Sequence, residues 1–354
     1  MKVALVLPGS IWYAPYVRNY TRILDEVKVN YSIISWNREG DDQPEGFQYN
    51  VPCVNGHGMA GLSSYMKYIN YIKGIIRKEA FDRIIVFGPQ MTCLMSAFLL
   101  RNYRGKYMID YRDLSIEQKF GFKQIFSLML KYSCANVISS PGFKKCLPKR
   151  NYYLSHNFDE RVVKDALGGG EEKEDQFVLE GGVDVLTIGA IRDYKANIEV
   201  LKALANKAGF KMRFIGKGDD ATKLKEYSKQ NNVNNVIFKG FYQKSEESSY
   251  VRSCTFMNIF YPRVITHDTA LSNRFYNSLI YHKPMIVTKD TCQGAYAEEY
   301  GVGVAIRDCD NLANDLHAFL SQDFDAYRMR CDDLLRMFLN DQNLFVEAVK
   351  KFVS

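Results

Sequence analysis

The sequence predicts an α/β protein of two doubly wound, Rossmann-like domains facing a cleft. Three observations carry this expectation. Apolar runs of strand length alternate with helical stretches along most of the 354 residues, the pattern of a mostly parallel sheet covered on both faces. Many of these runs stop at a glycine or proline turn, such as Pro8-Gly9-Ser10, Gly88-Pro89 and Gly216-Lys217-Gly218. One glycine-rich, acidic stretch at 166–182 separates two such series and reads as a linker. The expected division is a first domain at 1–165, the linker at 166–182 and a second domain at 183–340, with a C-terminal helix at about 341–354 returning to the first domain.

In chain order, residues 2–7 are apolar and end at Pro8-Gly9, which makes them a buried strand; the run is too short for a signal segment and no A-x-A-like site follows. Residues 12–27 read as a helix, 31–36 as a strand and 37–50 as a polar loop. A helix at 61–77 carries Tyr65, Tyr68, Ile72, Ile75 and Ile76 at helical spacing. Strands follow at 83–87, 106–111, 136–139 and 152–155, with a helix at 92–101. The second series has strands at 183–188, 211–215, 236–239, 256–261 and 285–288, with helices at 197–208 and 273–281. A long helical stretch at 326–353 closes the chain.

Composition narrows the class. Hydrophobic residues are 47% and charged residues 25%, ordinary for a folded globular protein, while aromatics are high at 14%. No apolar run approaches the roughly 20 residues of a membrane span. Eight cysteines are scattered without a C-x-x-C pair, which points to reduced thiols in a cytoplasmic setting and to no zinc site. The net charge of +7 is uneven: residues 1–156 hold 21 Lys and Arg against 11 Asp and Glu, hence +10, and the remainder holds 26 against 29, hence −3. A basic first half asks for an anionic surface or substrate. With no nucleic-acid motif present, lipid or phosphate is favoured.

Candidate chemistry lies at the ends of the strands, where open parallel sheets bind ligands. After 183–188 the turn Gly189-Ala190-Ile191 leads to Arg192 and Lys195. Two cations beside a helix N-terminus suit a phosphate; the plainer reading is that they solvate the start of the helix. Ala270, Leu271 and Ser272 form a small flexible loop before a helix carrying Arg274, which makes a second anion cradle or an ordinary amphipathic helix. Lys239-Gly240-Phe241-Tyr242 suits a base edge or a core aromatic. Asp110-Tyr111-Arg112-Asp113 suits acid–base work or a structural Asp–Arg pair. Phe120, Phe122, Ile125, Phe126, Leu128, Met129, Leu130 and Tyr132 among Lys119, Lys123 and Lys131 suit either an anionic membrane surface or a plain core helix with solvated lysines.

The order G-x-I-R-x-Y-K at 189–195, F-I-G-K-G at 214–218, K-G-F at 239–241 and S-N-R-F-Y-N-S-L-x-x-x-K-P-M-I-V at 272–287 resembles the retaining GT-B glycosyltransferases of the family-4-like group, many of which build bacterial capsular or surface polysaccharides. The resemblance covers the chain and is tightest in its second half. It implies a GT-B fold and transfer of a sugar from a UDP- or GDP-type nucleotide-sugar to a saccharide hydroxyl; on the membrane reading of the basic segment, the acceptor is polyprenyl-diphosphate-linked. It implies no cofactor and no metal. It also implies that Arg192 and Lys195 hold the donor diphosphate, with Arg274, Leu271 and Ser272 from the second loop and Gly9 and Ser10 from the first domain. Gly216, Lys239, Phe241, Tyr242 and Asn277 fall to the base and ribose, and His267, Asp268 and Thr269 to the donor sugar. Asp113, with Arg112 beside it, falls near the anomeric carbon. The family's E-x7-E pair lands on Thr269 and Asn277, neither of them glutamate. That departure keeps open an inactive nucleotide-sugar-binding partner, and the shared architecture keeps open a non-hydrolysing UDP-sugar epimerase. A nicotinamide dehydrogenase is disfavoured, because the first turn, LPGSIWY, lacks G-x-G-x-x-G.

Overall fold

A computed structural model describes residues 1–40, 46–52, 60–169, 177 and 181–354. The chain forms two compact units, Met1–His156 with Asn340–Ser354, and Asn157–Leu339. Among the described residues the first unit holds strands β1 (Lys2–Val6), β2 (Asn30–Asn37), β3 (Phe47–Asn50), β4 (Arg83–Phe87), β5 (Tyr107–Tyr111), β6 (Ala135–Ile138) and β7 (Tyr153–Leu154). The second holds β8 (Val183–Ile188), β9 (Phe210–Ile215), β10 (Val236–Lys239), β11 (Phe256–Ile259), β12 (Met285–Thr288) and β13 (Gly303–Ile306). The strand orders are β3-β2-β1-β4-β5-β6-β7 and β10-β9-β8-β11-β12-β13, and the neighbouring strands pair in parallel, for example Leu5 with Ile85 and Ile188 with Ile215. Each order reverses direction once, between β1 and β4 and between β8 and β11. Such switch points open a crevice at the carboxyl ends of the strands.

Continuous apolar strands follow from burial on both faces. In β4, Ile84 and Val86 pack on one face with Tyr68, Ile69, Ile72 and Ile76 of helix Leu62–Glu79. Ile85 and Phe87 pack on the other with Tyr20, Ile23 and Leu24 of helix Val17–Glu26 and with Phe345, Val349 and Phe352. In the second unit Leu186 and Ile188 face one core, and Val183 and Val185 the other. The 29-residue helix Phe324–Phe352 contributes Tyr327, Cys331, Leu334, Leu335 and Phe338 to the second unit, and its residues from Asn340 onward belong to the first.

Several boundaries differ from the sequence reading. The first unit ends at His156, nine residues short of the expected 165. Helix Glu160–Gly168 takes up the start of the expected linker: Asp159 Oδ1 accepts from the Arg161 amide at 3.0 Å, Val163 is buried in the second unit, and Gly169 at φ 76° stops the helix. The rest of the linker, at 170–176 and 178–180, lies outside the described residues. The expected helix 12–27 is split into a short turn, Ile11–Tyr13, and helix Val17–Glu26. Pro15 lies in the gap and offers no N–H to continue a helical ladder. β3 occupies part of the expected loop 37–50 as an edge strand, and β13 was not expected at all. Among the described residues no helix is long and apolar enough to cross a membrane.

Candidate functional site

The loops following β8 to β12 gather at the carboxyl end of the second sheet, on a bed of main chain. The Gly189 amide donates to Ile215 O at 2.9 Å, Ile191 to Lys217 O at 3.0 Å and Gly216 to Lys239 O at 2.9 Å. Gly216 has φ +132°, and a Cβ built there would stand 1.9 Å from Gly189 O. A Cβ at Gly218 would stand 1.9 Å from Ile191 O. Any side chain at either position would force the β8 and β9 loops apart. The role of Gly216 is therefore close approach of two backbones, which leaves the floor of the crevice flat.

Arg192 and Lys195 rise from this floor. Both are exposed, and neither side chain is paired with another described residue. They flank the start of helix Tyr194–Leu204, entered through Asp193 in the left-handed region at φ 62°. Asp193 does not cap the helix with its side chain; its carboxylate lies 3.6 Å from His267 Nε2. Asp220 Oδ2 accepts from the Tyr194 amide at 3.0 Å. A buried chain of polar groups fixes the loop from below. Asn258 Nδ2 donates to Thr187 Oγ1 at 2.9 Å and to Asn197 Oδ1 at 3.2 Å, and Asn197 Nδ2 donates to Arg192 O at 2.5 Å. The only sequence signal for it was a lone Asn inside the apolar run F-M-N-I-F.

Arg274, expected at the donor diphosphate, is bound to main chain. Its Nε donates to Ile188 O at 2.6 Å, Nη2 to Ala190 O at 3.0 Å and Nη1 to Asn258 O at 3.3 Å. The buried guanidinium thus ties the ends of β8 and β11 together instead of standing free as an anion ligand. Ser272 is also committed: its amide and hydroxyl donate to Gln293 Oε1 at 2.9 and 2.7 Å, and its Oγ caps helix Asn273–Ile280. Leu271 is core. Thr269 is buried, with its hydroxyl on Ile265 O at 2.8 Å. Asp268 pairs with Arg263 at 2.8 and 3.2 Å. His267 stacks on Tyr261 with ring centroids 4.8 Å apart.

Of the residues expected at the base and ribose, Tyr242 and Asn277 share a partner in Glu247. Phe241 is exposed, with Lys217 Nζ 5.2 Å from its ring centroid. Lys239 is drawn off to Glu246 and Tyr250. Tyr242 Oη lies 4.0 Å from a Cβ position at Gly189 and donates to Glu247 Oε2 at 2.6 Å. Asn277 Nδ2 donates to Glu247 Oε1 at 3.0 Å. Burial pushes the Glu247 carboxyl up, but the hydrogen bonds from Lys244, Tyr242 and Asn277 outweigh it and hold the group below the ordinary range. Glu247 was not anticipated.

At the carboxyl end of the first sheet, Arg112 is buried and held by its neighbours. It grips buried Asp110 through Nε at 2.6 Å and Nη2 at 2.9 Å, and reaches Ser155 O at 2.9 Å. Tyr20 Oη completes the set with a 2.5 Å bond to Asp110. The neighbouring Asp113 is exposed, though recessed enough that desolvation raises its carboxyl above the usual range; Arg112 opposes the rise and Asp110 adds to it. Ser10 Oγ accepts from the Trp12 amide at 3.2 Å, and Gly9 O from the Trp36 amide at 3.3 Å. Among the described residues no cluster of three or more His, Cys, Asp or Glu side chains can hold a metal ion.

Comparison with solved structures places this architecture. The galactosyltransferase WaaB of the lipopolysaccharide outer core superposes with a TM-score of 0.65 at 15% identity, covering 99% of both chains. HepE of Anabaena, solved in complex with UDP, gives 0.66 at 11% identity, covering 99% of this chain and all of the other. The fold is GT-B. A UDP-N-acetylglucosamine 2-epimerase of Rickettsia bellii gives 0.57 at 10% identity, covering 99% of this chain and 98% of the other. No protein-family model matches the chain, and no curated protein matches it in sequence.

Proposed function

We propose that the protein moves a sugar from a nucleotide-sugar of UDP or GDP type to a hydroxyl of a saccharide acceptor, with retention of configuration. The observation that carries the reading is the unpaired pair Arg192 and Lys195, standing over a side-chain-free floor at the switch point of a GT-B domain. Cleavage of the C1–O bond leaves an oxocarbenium-like sugar and builds negative charge on the departing diphosphate. Two cations and the nearby helix N-terminus would stabilise that charge. The UDP held by HepE supports a nucleotide ligand for this fold. In the first unit, Asp113 is the carboxylate we assign to catalysis, near the anomeric carbon, and Gly9 and Ser10 to the diphosphate.

The acceptor we favour is lipid-linked, in surface polysaccharide assembly at the inner face of a cytoplasmic membrane. Phe120 is 94% exposed, and exposed Ile125 and Leu128 lie on the same segment as Lys119, Lys123 and Lys131. Rings and methylenes bordered by cations suit an anionic bilayer surface.

The test is calorimetric titration with UDP, GDP, CMP and ADP, followed by nucleoside diphosphate release from the matching sugar nucleotides with and without lipid-linked acceptors. Acceptor-dependent release supports transfer. An epimerised sugar nucleotide as product favours the second reading, for which the Rickettsia bellii epimerase gives the structural motive. Tight binding without turnover across acceptors leaves the chain a nucleotide-sugar-binding partner.

A further inference from the structure

We infer that Glu247 is the group that reads the ribose hydroxyls of the nucleotide, an assignment that rests on the nucleotide-sugar reading of the second unit. Three elements converge on its carboxylate. Tyr242, from the loop after β10, donates to Oε2 at 2.6 Å; Asn277, from helix Asn273–Ile280, donates to Oε1 at 3.0 Å; and Lys244 pairs with it across one turn. The carboxylate is held by groups remote in sequence, yet its side chain keeps 13% of its surface open. A carboxylate oxygen accepts two hydrogen bonds. Among the described residues Oε1 has two donors, from Asn277 and Lys244, while Oε2 has only the Tyr242 hydroxyl, so Oε2 retains an acceptor site.

Position decides what that site takes. Tyr242 Oη stands 4.0 Å from a Cβ position at Gly189, so the Glu247–Tyr242 pair sits against the first residue of the crevice floor. Asn277 lies one turn beyond Arg274, whose guanidinium binds the Ile188 and Ala190 carbonyls of the same loop. A charged carboxylate here repels phosphate, which belongs with Arg192 and Lys195. It attracts O–H donors. In a nucleoside diphosphate the neutral O–H groups next to the phosphates are the 2′- and 3′-hydroxyls of ribose, and a carboxylate on a ribose hydroxyl is a recurrent solution at the carboxyl ends of doubly wound sheets.

The experiment compares UDP, GDP, CDP and ADP with their 2′,3′-dideoxy counterparts by calorimetry, on the wild type and on Glu247→Gln. The wild type should bind one ribonucleotide and lose about 10- to 100-fold on its dideoxy form, the range for hydrogen bonds to a charged group. Glu247→Gln should lose a similar factor on the ribonucleotide and bind both forms alike. Equal wild-type affinity for the two forms overturns the inference without recourse to any variant. Discrimination that survives in a folded Glu247→Gln also overturns it, while leaving the nucleotide reading intact. If no nucleoside diphosphate binds the wild type, the nucleotide reading fails and this inference falls with it.

Discussion

Replacing Arg274 by Met tests whether this cation holds the crevice or contacts the ligand. Methionine keeps an unbranched side chain but removes the guanidinium. Three carbonyls, Ile188 O, Ala190 O and Asn258 O, then lose donors at 2.6, 3.0 and 3.3 Å. Hydrogen bonds to a charged group contribute about 1.5–3 kcal/mol, and a buried acceptor left unsatisfied costs about 1–3 kcal/mol. The 3.3 Å contact is long and counts least. Two bonds at full strength give a loss of about 3–5 kcal/mol. For a folding unit of about 150–250 residues each kcal/mol lowers Tm by about 2–4 °C, so Arg274→Met should unfold about 6–20 °C below the wild type. The assay is thermal unfolding by circular dichroism, with and without saturating UDP. A Tm within about 2 °C of the wild type, combined with lost UDP affinity, would refute the argument and return Arg274 to the ligand.

Arg192→Ala and Lys195→Ala should behave in the opposite way. Neither side chain has a partner to orphan among the described residues, so stability should move by less than about 0.5 kcal/mol while calorimetric UDP affinity falls about 10- to 100-fold; unchanged affinity in both would displace the diphosphate from this loop. Gly216→Ala, at φ +132° and with its Cβ 1.9 Å from Gly189 O, should cost about 1–3 kcal/mol in urea unfolding and weaken UDP binding as the two loops separate. His156 gives a pH dependence to the first unit. Burial lowers its value below the ordinary histidine range, and Arg112 adds to this while Asp341, 3.2 Å away, opposes it. Between the lowered folded value and the unfolded value of about 6.5, the unfolded chain binds more protons, so stability falls as pH drops below about 6.5, by at most about 1.4 kcal/mol per unit. His156→Gln should flatten that slope in unfolding curves taken from pH 7.5 to 5.

The parallel sheets were legible because both faces of each strand are buried, so Val183–Ile188 and Arg83–Phe87 appear as unbroken apolar runs. β13 was not, since Gly301 and Gly303 interrupt the run, and β3 has the polar composition of an edge. Arg192 and Lys195 could be found because a cation just after a strand must lie at its carboxyl end. The commitments of Arg274, Ser272 and Thr269 could not. A helical arginine has the same sequence context whether it faces solvent or the carbonyls of strands 86 and 16 residues away. Glu247 was hidden for the same reason: within Lys244-Ser245-Glu246-Glu247-Ser248 it looks like solvated surface, and Asn277, 30 residues on, helps to draw it inward.

The last helix has a consequence for synthesis on the ribosome. Phe345, Val349 and Phe352 fill the face of the first sheet that also takes Tyr20, Ile85 and Phe87. They are translated only after all of Asn157–Leu339. The unit that begins first is therefore the one that finishes last, and until Asn340–Ser354 emerges it exposes an apolar face that a chaperone must shield or that a neighbouring nascent chain can capture.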